Sequence, residues 1–247
     1  MYDSHAFRKF SRIDFLTEQV PDATTLLKFR KLLVDNGINE KLFEDVKARL
    51  EKAGLIMHGG TVVDATIIAA PKSTKNKSGR RDEEMHQTKK GNEWHFGCDA
   101  QTGYVHTVTA TAANVYDITE AHKLVRDDDE VVYCDSGYLG IEKREEIRKD
   151  AHLSKVEYKI AKRPSSLQSK IGNGGTDWDR EIERRKASVR SKIEWPHLVI
   201  KRQFGYCKTA YKGLKKNINR LFVLFASVNL LKVLQGGRSA EFRAASL

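Results

Sequence analysis

Apolar residues first recur at helical spacing in "PDATTLLKFRKLLVDNG", where Leu26, Leu27, Phe29, Leu32 and Leu33 share one side. Asp22 or Thr24 stands where a cap belongs, and Gly37 where the helix should stop. "NEKLFEDVKARLEKAG" repeats the plan, with Asn39 as cap, Leu42, Phe43, Val46 and Leu50 inward, and Gly54 as stop. Residues 1–57 therefore read as a helical N-terminal segment. Two helices with a short joint suit a DNA-reading helix-turn-helix or, more commonly, a plain helical hairpin.

The period changes at Gly59–Gly60. "TVVDATIIA" is a β-branched run and reads as a buried strand. A long polar stretch, Pro71 to Glu93, follows without structural punctuation, and such loops are usually functional or disordered. "WHFGCDAQTGYVHTVTATAA" reads as two strands around a turn at Gln101–Gly103. "DITEAHKLVRD" is a short helix, "EVVYCDSGY" a strand, "EKREEIRKD" a helix and "KVEYKIAK" a strand. Residues 164–176 are a Pro-, Ser- and Gly-rich loop. Trp178 to Lys192 is charged and helical, and Asn217 to Leu234 forms a last, thickly apolar helix. Three strands, then helix, strand, helix, strand, helix is the order of an α/β, ribonuclease-H-like mixed sheet flanked by helices. The expected division is 1–57 helical segment, 58–235 catalytic domain and 236–247 flexible tail.

With 40% hydrophobic residues among 247, the chain has material for a real core. Its net charge of +11 points to a polyanion, with nucleic acid ahead of a membrane surface. Cys98, Cys134 and Cys207 are scattered, without the spacing of a zinc site or a disulfide framework. The apolar run Phe222–Leu231 is too short to span a bilayer, so no membrane is expected and a cytoplasmic location is.

Asp64 interrupts the first strand and Asp135 ends a later one. A carboxylate on a buried strand is costly unless it is paired or binds a cation. Two that converge repel each other, and a divalent metal removes that cost. Glu194 in "SVRSKIEWPHLVIKRQFG" is the candidate third ligand. Arg190 and Lys201 fall on roughly the same helical face and would meet a DNA phosphate. Pro196 should kink or restart that helix. The ordinary alternatives are a turn cap at Asp135 and a solvated ion pair at Glu194. Strand, strand and helix placement in that chain order favours the metal site. Lys89, Lys90, Arg80 and Arg81 in the basic loop are candidates for contact with the DNA backbone.

"GGTVVDATIIAAPKSTKNKSGRRDEEMHQTKKGNEWHFG", "YCDSGYLG" and "RSKIEWPHLVIKRQFGYCKTAYKGLKKN" together resemble the DDE transposases of bacterial insertion sequences, IS-five family. The spacing of Arg190, Glu194 and Lys201 matches that family's signature. The resemblance implies Asp64, Asp135 and Glu194 as catalytic, metal-binding carboxylates, with Mg²⁺ as cofactor and Mn²⁺ as a substitute. It implies double-stranded DNA as partner, both terminal inverted repeats and target, and a homo-oligomer on that DNA. Water hydrolyses a phosphodiester at the element end in such enzymes, and the freed 3′-hydroxyl attacks target DNA.

Three departures stand out. Ala187 replaces a tyrosine that usually precedes the signature arginine. Only Cys98 separates Gly97 from Asp99, which predicts a shortened second strand with disturbed register. "MYDSHAFRKF" resembles an interior segment of the family, which predicts an N-terminally truncated copy. These departures set up the alternative function: a non-catalytic DNA-binding remnant that occupies element ends or pairs with intact transposase.

Overall fold

The computed structural model describes residues 9–12, 14, 17, 19–69, 84, 91–163, 177–209, 211–237 and 239–245. The chain divides into two compact units, Met1–Ile38 and Asn39–Leu247. The boundary falls inside the segment read from the sequence as one helical region.

The first unit holds helix α1, Ala23–Asp35. Asp22 caps it, with Oδ1 accepting from the Thr25 N–H at 2.6 Å. That bond holds the Asp22 carboxyl below its ordinary range. The side expected to face a core is in fact solvent-exposed: Leu26, Leu27, Phe29 and Leu32 are each more than half accessible.

The second unit opens with α2, Ile38–Lys52, whose Phe43, Val46 and Leu50 are buried as expected while Leu42 is exposed. Asn39 lies within the helix, buried, rather than capping it. Gly54 ends α2 in a left-handed conformation that a side chain would strain. Strands β1 (Gly60–Ala69), β2 (Gly91–Asp99), β3 (Val105–Ala112), β4 (Val131–Cys134) and β5 (Glu157–Ile160) form one sheet in the order β3-β2-β1-β4-β5. β1, β2 and β3 are antiparallel neighbours, and β4 and β5 continue parallel to β1. The short helices α3 (Asp117–Glu120) and α4 (Glu145–Lys149) make the crossovers. Helices α5 (Asp177–Leu198) and α6 (Leu214–Gln235) follow the last strand. Helix α7, Ser239–Ala244, stands where the sequence suggested only a flexible tail.

Alternation along the strands sends side chains to two cores. Val62, Ile68, Trp94, Phe96 and Cys98 pack beneath α2, α5 and α6. Val63, Val132 and Cys134 pack on the other face against Leu124, Tyr138, Ile141 and Ile147. This is a mixed sheet covered by helices on both faces, a ribonuclease-H-like α/β fold.

The structure corrects two sequence expectations. β2 pairs with β1 without a break from Thr61↔Asp99 to Ala69↔Gly91. The register shift expected around Cys98 lies only on the β3 side, between Gly97 and Cys98, where the neighbouring strand absorbs it as a bulge. The run Phe222–Leu231 belongs to a helix of 22 residues, long and apolar enough by composition to cross a membrane. Half of its apolar window is buried, with Leu221, Phe225 and Val228 set into the first core.

Candidate metal and DNA site

Asp64 sits in mid-β1, on the face that α5 covers. Its Oδ1 accepts from the Ala65 N–H at 2.9 Å, and its Oδ2 lies 3.2 Å from Nε2 of His197 on α5. His197 is itself fixed by a T-shaped contact with Phe96, ring centres 4.8 Å apart. Sequence reasoning missed His197, although it lies three residues past Glu194 and so near the same helical face.

Asp135 leaves β4 and caps a single 3-10 turn, Ser136–Tyr138, accepting from the Gly137 N–H at 2.8 Å. The ordinary cap and the candidate ligand are thus the same side chain: one oxygen is engaged and the other is left for a partner. The β1–β4 ladder ends at Val62↔Tyr133, so Asp64 and Asp135 both stand two residues past the last pair on parallel neighbouring strands. Charge from both reaches Tyr138, whose hydroxyl is pushed well up by burial and, after Asp117 and Cys134, by these two carboxylates.

Glu194 is exposed on α5 and lines an open groove of about 440 Å³ together with Asp64, Thr66, His197, Lys201 and Arg202. Asp135 is outside this lining. α5 continues through Pro196 to Leu198 instead of restarting, then widens into a π-helical turn, Val199–Gln203. That turn carries Lys201, whose Nζ donates to Thr66 Oγ1 on β1. Arg190, one turn before Glu194, lies toward the end of β4. Burial pushes the Cys134 thiol up, Asp135 adds to that, and the Arg190 charge opposes it. Among the described residues the buried Arg190 Nε has no hydrogen-bond partner. Lys89, Lys90, Arg80 and Arg81 lie outside the described residues.

Asp64, Asp135 and Glu194 offer only oxygen, the donor set of a hard divalent cation. The donor set suits such an ion, but Asp64 and Glu194 share the groove while Asp135 ends the adjoining strand, and among the described residues these three are not gathered within the 4.8 Å that unites Glu93, His95 and Asp117.

A second group was not found from the sequence. Glu93 and His95 on β2 and Asp117 at the start of α3 place one ligand atom each within 4.8 Å of one another. They lie on the opposite face of the sheet from Asp64, because β2 sends Trp94 and Phe96 to the face Asp64 shares. Burial pushes the Asp117 carboxyl up, and the charges of Asp135 and Asp64 add to the rise although a hydrogen bond with Glu93 opposes it.

A five-stranded sheet in this order, flanked by helices on both faces, is a ribonuclease-H-like domain. The chain belongs to the Transposase DDE domain family, which matches residues 57–230. It is therefore a DDE transposase, an enzyme of DNA cleavage and strand transfer, from a family that uses a divalent metal. No solved structure matches the chain.

Proposed function

We propose that Asp64, Asp135 and Glu194 are the catalytic carboxylates, that they hold Mg²⁺, and that the chain nicks the ends of an IS-five-type insertion sequence and joins them to target DNA. The observation that carries this reading is the shared groove of Asp64 and Glu194, with Lys201 and Arg202 on its wall and Asp135 level with Asp64 on the next strand. A divalent ion held there supplies Lewis acidity to a phosphodiester and charge compensation to its developing oxyanions.

The remaining work falls to the chain's own side chains. His197 orients Asp64 by holding one of its oxygens. Lys201 and Arg202 attract and position the DNA phosphates along the groove. Arg190 adds positive charge near the end of β4. Terminal inverted repeats and a target duplex are the proposed DNA partners. A homo-oligomer on DNA follows from the need to bring two element ends together.

The test is nicking of a supercoiled plasmid that carries the DNA flanking the gene, with Mg²⁺, with Mn²⁺ and with chelator. Metal-dependent nicking by the wild type that disappears in Asp135→Asn supports the reading, and nicking undiminished in that variant overturns it. A folded protein that nicks nothing but shifts duplex DNA in a salt-sensitive manner would be the non-catalytic remnant instead.

A further inference from the structure

We propose that Glu93, His95 and Asp117 form a second metal site, built for a first-row divalent transition ion such as Zn²⁺ and separate from the catalytic carboxylates.

The imidazole of His95 is fully buried. Its Nε2 lies 2.9 Å from Thr111 Oγ1 on β3. Its Nδ1 is buried, has no hydrogen-bond partner among the described residues, and lies 3.6 Å from Asp117 Oδ1. In the tautomer whose Nε2–H donates to Thr111, the lone pair on Nδ1 is free for a ligand, the arrangement in which an outer hydrogen bond fixes a metal-binding histidine. Burial keeps that ring neutral, holding its pKa down at about 4, so the lone pair is available at neutral pH.

Two carboxylates complete the group. Glu93 is buried beside Asp117, and burial, then the Asp117 charge, raises its carboxyl to about 7. Such a pair is held together by either a shared proton or a cation. Two donors each about 2.1 Å from one zinc ion lie at most about 4.2 Å apart, and the Nδ1–Oδ1 separation meets that limit. The Asp117 side chain is 37% exposed, so the group has an open side for entry and for a fourth, solvent ligand. One nitrogen with two carboxylate oxygens is a set that favours Zn²⁺ over Mg²⁺. Asp135 and Asp64 act on Asp117 through their charge, so an ion here would lower the negative potential behind the catalytic face.

The experiment uses the full chain carrying Asp64→Asn and Asp135→Asn, which neutralises two catalytic carboxylates and isolates the second group. Co²⁺ serves as the visible-absorbing probe, with Zn²⁺ and Mg²⁺ as competitors and thermal melting as the control for folding. The expected result is one equivalent of Co²⁺ bound with ligand-field bands, displaced by Zn²⁺ but not by excess Mg²⁺. Adding Asp117→Asn, a change at a partly exposed position, should weaken that binding by ~100-fold or more, at or beyond the top of the range for losing even an outer-shell partner. Zn²⁺ should raise the melting temperature of the parent and not of the Asp117→Asn protein. A folded parent that binds no Co²⁺, or binding indifferent to Asp117→Asn, overturns the proposal and leaves a proton as what Glu93 and Asp117 share.

Discussion

His197 Nε2 on α5 meets Asp64 Oδ2 on β1 at 3.2 Å, joining the helix that carries Glu194 to the strand at the centre of the sheet. The contact fixes the orientation of Asp64 without using its other oxygen. If Asp64 is a metal ligand, His197→Ala should slow Mg²⁺-dependent nicking about 10- to 100-fold, the usual cost of losing a partner that orients a ligand. The Mg²⁺ concentration giving half-maximal rate should rise as well, because a carboxylate held only by the Ala65 N–H must be further ordered on binding. An unchanged Mg²⁺ midpoint in a folded His197→Ala protein would show that His197 packs against Phe96 and does nothing for the site.

Arg126 and Asp129 brace the starts of β1 and β4, at the opposite end of their ladder from Asp135. Arg126 reaches Asp129 with its side chain at 2.9 Å, Met57 O at 2.8 Å and Gly60 O at 3.1 Å. Asp129 is fully buried and also accepts from Thr61 on β1 and from the Arg126 N–H. Removing the arginine strands a buried carboxylate, which typically costs about 3–5 kcal/mol. Arg126→Ala should therefore lower the urea midpoint sharply, and Asp129→Asn added to it should recover part of the loss. A single variant within about 1 kcal/mol of wild type would contradict the arrangement.

β1, β3 and β4 were readable as short apolar or β-branched runs with turn residues around them, and Asp64 and Asp135 could be placed at two of them. Spacing narrowed the cap of α1 to Asp22 or Thr24, and the structure places it at Asp22. Periodicity also gathered Leu26, Leu27, Phe29 and Leu32 on one side of α1, but a helical stripe does not say what meets it, and this one meets solvent. Lys201 was placed by assuming 100° per residue through Pro196. The π turn at Val199–Gln203 changes that angle, and the hydrogen bond to Thr66 then fixes where Lys201 ends up. Glu93, His95 and Asp117 carry no local signature, because Asp117 reaches β2 only after the chain has turned back along β3. Lone acidic and histidine positions in a strand pattern are ordinary until the register brings them together.

Glu93 offers a pH test that does not depend on catalysis. Its carboxyl is raised from 4.5 to about 7, first by burial and then by Asp117. Between those values the folded protein holds a proton that the unfolded chain releases, so the stability due to Glu93 falls as pH rises through that window. His95, pushed down from 6.5 to about 4 by burial, acts in the opposite sense, and its contribution grows as pH rises from about 4 to 6.5. Comparing wild type with Glu93→Gln in the presence of chelator cancels the histidine. The wild type should lose stability relative to the variant between about pH 5 and about pH 7.5 in chemical denaturation. A constant difference across that range would mean that Glu93 titrates like a solvent-exposed glutamate.

The last prediction concerns the open edge of the sheet. β3 is one of the two outermost strands, and unpaired edge groups are a liability when buried. Asn229 on α6 answers it at Val105: Oδ1 accepts from the Val105 N–H at 2.9 Å and Nδ2 donates to the Val105 carbonyl at 2.7 Å. Asn229 and Val105 are both fully buried, so water cannot replace the amide without rearrangement. Asn229→Ala leaves a buried donor and a buried acceptor unsatisfied, at about 1–3 kcal/mol each, giving an expected loss of about 2–6 kcal/mol. Asn229→Leu should not rescue it, because volume is not what the position supplies. Ser227→Ala is the control, since Ser227 only returns a bond to Val223 within its own helix and should cost less than about 1 kcal/mol. Hydrogen exchange locates the effect: the Val105 amide should lose protection in Asn229→Ala before the amides of β1 do. Equal loss in all strands would mean that Asn229 supports global stability without holding the edge.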